Sequence, residues 1–218
     1  MLYPYRMLQR LEIALIRHGQ STANATGVWQ GQLDFPLSDE GRAQARLAGR
    51  ALAAAPPDAI YTSPLSRARD TARIIAREAG FEGRVVPLPG LQERRGGLLE
   101  GTTAEEREAR HPDLMRKFLA VEEEERWPLV GAETDEEVLE RFTEAIASVT
   151  ERHRHGGRVA VVSHGGAIRA FLREFFGPEV FPGSERARNA SITRLLWGPD
   201  GEKSHLLELN STGHLAST

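Results

Sequence analysis

The chain has 218 residues, a formal net charge of −3 and no cysteine. The absence of cysteine excludes disulfides, thiolate catalysis and cysteine-ligated metal centres, and the small negative charge argues against a globally basic surface for nucleic acid. No segment approaches the roughly 20 apolar residues that span a bilayer. We therefore expect one domain over residues 1–218, located in the cytoplasm, without nucleic-acid or membrane partners.

The first half of the chain alternates short apolar runs with stretches of helical spacing. The predicted elements are strands at residues 11–16, 59–61 and 84–88 and helices at residues 39–54 and 65–78. Ser38 is the predicted N-cap of the first helix, and Pro56-Pro57 ends it. The first run is apolar at nearly every position, as in a strand buried on both faces. This alternation favours βαβ units and a mainly parallel sheet.

The middle of the chain, about residues 102–130, breaks this alternation because it is rich in charge and carries apolar residues at helical spacing. We interpret it as a small helical cap inserted over one edge of the sheet. Its acidic run at residues 122–125 is predicted to be a solvent-exposed face, not a metal site. Arg169 and Arg173, further along the chain, are interpreted as surface residues or as ion pairs at the sheet edge.

The last part of the chain returns to the α/β pattern. Thr134 and Glu137 have the spacing of a capping box at a helix start. The remaining predicted elements are a strand at residues 158–163, a helix at residues 167–176, and strands at residues 191–197 and 205–209 joined by a turn at residues 198–201. The predicted fold class is α/β, with three layers (helix, sheet, helix), a mainly parallel central sheet and the small cap insertion.

Reactive side chains follow four of the predicted strands. The first strand runs into Arg17 and His18, and the second leads to Arg67. The third leads to Glu93, and the strand at residues 158–163 runs into His164. Because the ligand crevice of an open α/β sheet lies at the carboxyl ends of its strands, we expect these five side chains to meet at one edge.

This set of side chains meets the demands of phosphoryl transfer through a histidine. The fork of N–H donors on arginine suits a phosphate dianion. The imidazole of His18 can attack phosphorus if an acceptor holds its second ring nitrogen, and the flanking arginines disfavour its protonation. A cationic His164 would stabilise charge on the transferring oxygens, and Glu93 could supply the proton that the leaving alkoxide needs.

The same residues lie in motifs that resemble those of the histidine phosphatase (phosphoglycerate mutase-like) superfamily, in particular its phosphatase branch. Arg17-His18-Gly19 resembles the RHG signature of that family. Further matching stretches follow in the family's order, at residues 20–24, 30–41, 61–72, 91–93, 100–101 and 162–165. The resemblance covers roughly residues 11–197, nearly the whole chain, and the ordered set is far more specific than a lone RHG triplet.

The resemblance implies a role for each matching residue. His18 would carry the phosphoryl group, and Glu93 would be the proton donor. Arg17, Arg67 and His164 would bind the phosphate. Three further residues would contact the substrate: Asn24, Gln30 and, through its backbone N–H, Gly165. No metal or organic cofactor is implied, so the chain is expected to be a metal-independent phosphatase of the histidine acid type.

Two departures from the family pattern bear on the substrate rather than on the chemistry. Leu99 stands where relatives often have tryptophan before a Glu-Gly pair, and Gln32 replaces an aromatic residue. The expected partner is a small phosphorylated metabolite whose identity the sequence leaves open. The sequence also leaves open a homo-oligomeric state and translation from Met1 or from Met7.

Two alternative functions stand beside hydrolysis. A cofactor-dependent phosphoglycerate mutase would use the same chemistry, but residues 94–128 lack the tyrosine- and proline-rich insertion expected of such mutases. A catalytically silent relative would instead bind phosphorylated ligands or proteins as an adaptor. The presence of all five reactive side chains argues against that second alternative.

Overall fold

The computed structural model describes residues 10–183, 185–198 and 204–216. Within these ranges six strands form one sheet: β1 Leu11–Arg17, β2 Ala59–Thr62, β3 Val85–Pro87, β4 Gly157–Ser163, β5 Ile192–Trp197 and β6 His205–Ser211. The strand order is β3-β2-β4-β1-β5-β6; the first four strands pair in parallel, and β5 and β6 pair antiparallel. The predicted mainly parallel sheet is confirmed.

Eight α-helices accompany the sheet in the same ranges: α1 Thr22–Ala25, α2 Asp39–Ala53, α3 Ser66–Glu78, α4 Ala104–Arg110, α5 Pro112–Ala120, α6 Glu123–Leu129, α7 Asp135–Arg152 and α8 Gly165–Phe176. The predicted caps are present. The Ser38 side chain accepts the N–H of Gly41 at the start of α2, and Thr134 and Glu137 form the capping box of α7. The predicted turn at residues 198–201 lies largely outside the described residues.

Helix α8 begins two residues earlier than the sequence predicts. His164 is its N-cap, and Gly165 and Gly166 form its first turn. The prediction placed the start later because glycine is a poor helix former. As a result, a single residue, His164, separates the end of β4 from α8.

The sheet has helices on both faces, as predicted. Alternate residues of β1 point to opposite sides, so Ile13 and Leu15 join a core with α7 and α8, while Ala14 and Ile16 join a core with α2 and α3. These two cores hold the helices against the sheet, and they leave its polar strand ends to form the site.

Helices α5 and α6 and the segments beside them share a small hydrophobic cluster, to which α4 contributes no residue. Its buried members are Leu99, Met115, Phe118, Trp127, Val130 and Ala132. Leu99 therefore occupies a packing position inside this cluster. None of the helices in the described ranges has the length and apolar content needed to cross a membrane.

The prediction that residues 122–125 are only a solvent-exposed face is wrong for Glu123, which forms an ion pair. Of the two options that the sequence left for Arg169, the ion pair is the one that the structure shows. Arg169 is buried, and its two terminal nitrogens donate to the two carboxylate oxygens of Glu123 at 2.9 and 2.8 Å. It also donates to the carbonyl oxygen of Gly183 at 2.6 Å. A buried guanidinium needs such a partner, and this bidentate pair joins α6 to α8.

Candidate active site

The ends of the central strands meet at one pocket of about 250 Å³. Its lining residues are Arg17, His18, Asn24, Val28, Trp29, Gln30, Gly31, Arg67, Glu93, Arg94 and Arg186. Six of the eight predicted site residues are in this lining. The other two lie next to it: the ring of His164 has its centroid 5.1 Å from that of His18, and a Cβ on Gly165 would lie 3.3 Å from Arg17 Nε.

His18 lies immediately after β1 and is only 2% exposed. Its Nδ1 is 2.7 Å from the carbonyl oxygen of Gly19. Because a carbonyl oxygen can only accept, Nδ1 carries the proton and Nε2 keeps its lone pair. Asn189 Nδ2 also donates to the carbonyl oxygen of His18, at 3.1 Å. The tautomer with its proton on Nδ1 is the one that nucleophilic attack by Nε2 requires.

The loop that carries His18 is packed tightly against the start of α2. A Cβ on Gly19 would lie 2.3 Å from the carbonyl oxygen of Gly41, and a Cβ on Gly41 would lie 1.9 Å from that of Gln20. The N–H of Gly19 also donates to Thr71 Oγ1 at 3.0 Å. Only glycine at both positions permits this close approach, which fixes the peptide that holds the imidazole.

Both histidines are neutral in the free pocket. Burial lowers the pKa of His18 well below its usual range, and the charges of Arg67 and Arg17 lower it further. Burial also lowers the pKa of His164, again with a contribution from Arg67. His164 is therefore neutral before a ligand binds, and its protonation beside a bound phosphate stays a prediction. A neutral imidazole has one N–H to donate.

These depressed pKa values predict how stability depends on pH. We expect the free energy of unfolding to fall as the pH drops below about 6.5, because the unfolded chain binds protons at His18 and His164 that the folded chain does not bind. The loss starts at the histidine pKa of the unfolded chain and continues towards the lower folded values. Its slope is up to about 1.4 kcal/mol per pH unit for each histidine.

Urea unfolding between about pH 7.5 and 5.5 measures this slope. His18→Asn should reduce the slope, whereas substitution of the exposed His155 with glutamine should keep it. A slope that is the same in all three proteins would contradict the assignment.

Arg17 and Arg67 each have some donors engaged and some unengaged. Arg17 Nη1 donates to the carbonyl oxygen of Ala187 at 2.7 Å. Arg67 is fully buried, and its Nη1 and Nη2 donate to the carbonyl oxygens of Leu33 at 2.8 Å and Gly31 at 2.7 Å. Burial lowers the pKa of both guanidiniums to about 10, so both are cations at neutral pH. The backbone contacts fix where these two cations lie.

Four buried nitrogen atoms of this site lack a hydrogen-bond partner among the described residues. They are Nε of Arg17, Nε of Arg67, and both ring nitrogens of His164. A buried donor without a partner costs roughly 1–3 kcal/mol, so its persistence calls for an explanation. An oxyanion bound beside His18 would supply acceptors to the two guanidinium N–H groups and to the one ring N–H of a neutral His164. The arrangement can therefore bind a phosphate next to an unprotonated imidazole.

The Glu93 carboxylate lies at the first turn of α8. Its Oε2 accepts the N–H of Gly166 at 3.0 Å, and its Oε1 accepts the N–H groups of Ala167 at 3.0 Å and Arg94 at 2.9 Å. A Cβ on Gly166 would lie 2.6 Å from Oε1, so the carboxylate can occupy this position only because residue 166 is glycine. Three backbone donors thus hold the carboxylate in the pocket wall.

The side-chain amides of Asn24 and Gln30 line the pocket. Asn24 Oδ1 accepts from the N–H of Ser21 and from Asn189 Nδ2, both at 3.2 Å. Gln30 Oε1 accepts from Ser21 Oγ at 2.7 Å. Because these bonds use the amide oxygens, each amide has its NH₂ group left to donate to a ligand. Both predicted substrate contacts are thus geometrically available.

Gln32, one of the departures from the family pattern, forms hydrogen bonds with both Glu93 and Glu100. Its Nε2 donates to the carbonyl oxygen of Glu93 at 3.0 Å, and its N–H donates to Glu100 Oε1 at 2.9 Å. Glu100 also accepts the N–H of Gly96 at 2.7 Å. An amide side chain at this position therefore replaces apolar packing with hydrogen bonds.

Sequence reasoning missed Arg186 and Asn189, which lie in the segment before β5. Arg186 lines the pocket, and its guanidinium carbon is 5.1 Å from the ring centroid of Trp29. Their position follows from the antiparallel pairing of β5 with β1, in which Ile192 is opposite Ile16. The start of an antiparallel neighbour lies beside the end of the central strand, but no residue pattern in β5 marks its pairing with β1 as antiparallel.

The described residues contain no group of three or more His, Asp or Glu side chains arranged to hold a metal ion. Within the acidic run of the predicted cap, Glu123 pairs with Arg169. The positive charges available to a ligand in this pocket are those of its arginines.

Known proteins resemble this chain over most of its length. A family model described as histidine phosphatase superfamily (branch 1) matches residues 13–211. A metal-independent phosphoserine phosphatase from Arabidopsis thaliana is 37% identical over 164 residues, which are 74% of this chain and 68% of that protein. The uncharacterized phosphatase PhoE of Bacillus subtilis is 32% identical over 204 residues, 94% of this chain and 96% of that protein. Among solved structures, a mycobacterial glucosyl-3-phosphoglycerate phosphatase is 26% identical with a TM-score of 0.76, over 93% of this chain and 100% of that one.

Proposed function

This chain is an enzyme of the histidine phosphatase superfamily, branch 1, and we propose that it hydrolyses small phosphomonoesters through a phosphohistidine formed at His18. The phosphatases among its relatives favour hydrolysis as the reaction. One observation carries the proposal: unpaired buried donors of Arg17, Arg67 and His164 surround a neutral imidazole whose tautomer leaves Nε2 free.

In the proposed first step the phosphate group binds between the two guanidiniums and His164. The free donors, Arg17 Nε and Arg67 Nε, pair with its oxygens, and the neutral His164 gives one N–H. A substrate that arrives as a monoanion delivers its proton to Glu93, so the bound phosphate is a dianion. The donors are in place before binding, which means that little reorganisation is needed.

In the second step Nε2 of His18 forms a bond to phosphorus. The bond between phosphorus and the ester oxygen breaks, its electron pair goes to that oxygen, and Glu93 gives the oxygen a proton. The alcohol leaves. The carbonyl oxygen of Gly19 stabilises the positive charge that the ring then carries, because Nδ1 remains its donor at 2.7 Å.

In the third step a water molecule attacks the phosphohistidine. Glu93, now a carboxylate, takes one proton from the water while the oxygen bonds to phosphorus. The bond between phosphorus and Nε2 breaks, and its electron pair returns to the imidazole. The phosphate takes this proton from Glu93 and leaves as a monoanion, so Glu93 is again a carboxylate when the next substrate monoanion binds.

The proposed mechanism is metal-independent, because two arginines supply the positive charge at the transferred group. We expect the hydrolysis of p-nitrophenyl phosphate to stay within about twofold of its starting rate after dialysis against EDTA. A zinc-dependent phosphatase treated in the same buffer should lose its activity and serves as the control. A loss in this enzyme that added metal restores would contradict the mechanism.

A screen of phosphorylated metabolites with a free-phosphate readout tests the proposed function itself. Release of phosphate from at least one small phosphomonoester is the expected result. Incubation with 3-phosphoglycerate and 2,3-bisphosphoglycerate separates hydrolysis from phosphoglycerate mutase activity. Fast isomerisation with little free phosphate would overturn the assignment in favour of the mutase, and binding without turnover of any substrate would favour an adaptor.

A further inference from the structure

Arg186 is a cation in the pocket wall to which the proposed mechanism gives no role. Two neighbouring arginines have carboxylate partners: Arg94 pairs with Asp135, and Arg169 pairs with Glu123. Within the described ranges the Arg186 side chain has no such ion pair. It lies over the ring of Trp29 instead, with its guanidinium carbon 5.1 Å from the ring centroid.

The charges in the pocket lining leave Arg186 without a counter-charge once a phosphate is bound. Glu93 is the one acidic side chain among the lining residues that the structure describes. In the proposed first step Glu93 is protonated and therefore neutral. The phosphate dianion then balances Arg17 and Arg67. The charge of Arg186 is left over in a partly buried site, where an unpaired charge is costly.

The other groups near this cation favour an anionic ligand as well. The NH₂ groups of Asn24 and Gln30 are donors, because their amide oxygens already accept hydrogen bonds. A guanidinium that lies against an aromatic face can still donate in its own plane, so stacking on Trp29 orients Arg186 without using its N–H groups. The pocket of about 250 Å³ has room for a phosphate and a second small anionic group.

We propose that Arg186 binds a carboxylate of the substrate, so that the preferred substrates are small phosphorylated carboxylic acids. The inference rests on the proposed phosphatase function and adds a substrate class to it. A carboxylate matches the planar fork of a guanidinium and carries the single negative charge that the pocket lacks. Arg186 is thus a residue that determines specificity, whereas Arg17 and Arg67 bind the phosphate common to all substrates.

Matched pairs of substrates test this proposal. O-Phosphoserine differs from O-phosphoethanolamine by one carboxylate, and 3-phosphoglycerate has a carboxylate where glycerol 3-phosphate has a hydroxymethyl group. We expect kcat/KM of the wild type to be at least about tenfold higher for the carboxylate member of at least one pair, a difference of about 1.4 kcal/mol. Arg186→Gln should reduce that ratio to within about twofold, and Arg186→Lys should keep part of it.

Arg188→Gln is the matched control, because it removes the same charge from an exposed side chain two residues away that is not in this pocket lining. It should keep the wild-type ratio. Circular dichroism checks that each variant is folded, and the wild-type ratio tests the proposal even if the Gln variant does not fold. A wild type without the preference, or a folded Arg186→Gln that retains it, would refute the proposal.

Two other outcomes have distinct meanings. A wild type that prefers a bisphosphate over every phosphorylated carboxylic acid would overturn the assignment of a carboxylate to Arg186. Turnover that persists in a His18→Ala variant would instead refute the phosphohistidine mechanism. The two failures are distinguishable because the substrate ratio and the need for His18 are measured separately.

Discussion

Replacement of His18 with alanine is expected to lower kcat for p-nitrophenyl phosphate by about 10⁴-fold or more, because it removes the atom that accepts the phosphoryl group. His164 is not a substitute in the proposed mechanism, because it is proposed to donate to the transferring oxygens from a ring centred 5.1 Å away. The variant keeps the unpaired donors of Arg17, Arg67 and His164. It should therefore still bind inorganic phosphate, measured as a rise in Tm on adding phosphate.

Two further measurements sharpen this prediction. Wild-type enzyme that is quenched during turnover should show an intact mass increased by one phosphoryl group, and His18→Ala should not. Substitution of the exposed His155 with alanine is the control and should leave kcat unchanged. Equal slow turnover by the wild type and His18→Ala would support an adaptor without catalysis, and the absence of any phosphoenzyme would exclude a long-lived covalent intermediate.

Glu93→Gln is expected to lower kcat by about 10²- to 10⁴-fold for alkyl phosphates and by much less for p-nitrophenyl phosphate. An alkoxide needs a proton as it leaves, whereas p-nitrophenolate leaves without one. A glutamine oxygen can still accept from the N–H of Gly166 or Ala167, so the side chain should keep its place at the start of α8.

The dependence on the leaving group is the decisive readout for this variant. A series of aryl and alkyl phosphates should give a loss that grows as the leaving alcohol becomes a weaker acid. A uniform loss across the series would mean that Glu93 orders the pocket and does not donate a proton. Glu105→Gln, in an exposed position on α4, is the matched control and should change no member of the series.

The sequence predicts the part of the site that sits at the ends of parallel strands. His18, Arg67 and His164 each follow directly from a buried strand or begin the next helix, so the topology alone places them at one edge. Their full burial and their hydrogen bonds could not be predicted, because these depend on backbone carbonyls of distant loops. The contacts of Arg67 with Gly31 and Leu33 are an example.

The sequence does not predict contacts between elements that are far apart in the chain and unmarked by a motif. Arg169 and Glu123 are separated by 46 positions, and each alone looks like an ordinary surface charge. Arg186 precedes a strand whose antiparallel pairing is not visible in its own residues. Packing decides which charges pair in this way. The pair is therefore visible only in the structure, where α6 lies beside α8.

The acceptor that fixes the His18 tautomer belongs to the main chain at Gly19, not to a side chain. In enzymes whose reactive histidine is oriented by an aspartate, one codon change removes the acceptor. Here every amino acid at position 19 would supply the same carbonyl group. A substitution can therefore remove the imidazole of His18, a guanidinium or the carboxyl of Glu93, but it cannot remove this oxygen. A substitution can disturb this acceptor only by displacing the peptide that carries it. A side chain at position 19 or 41 would do so, because the two backbones are in close contact there.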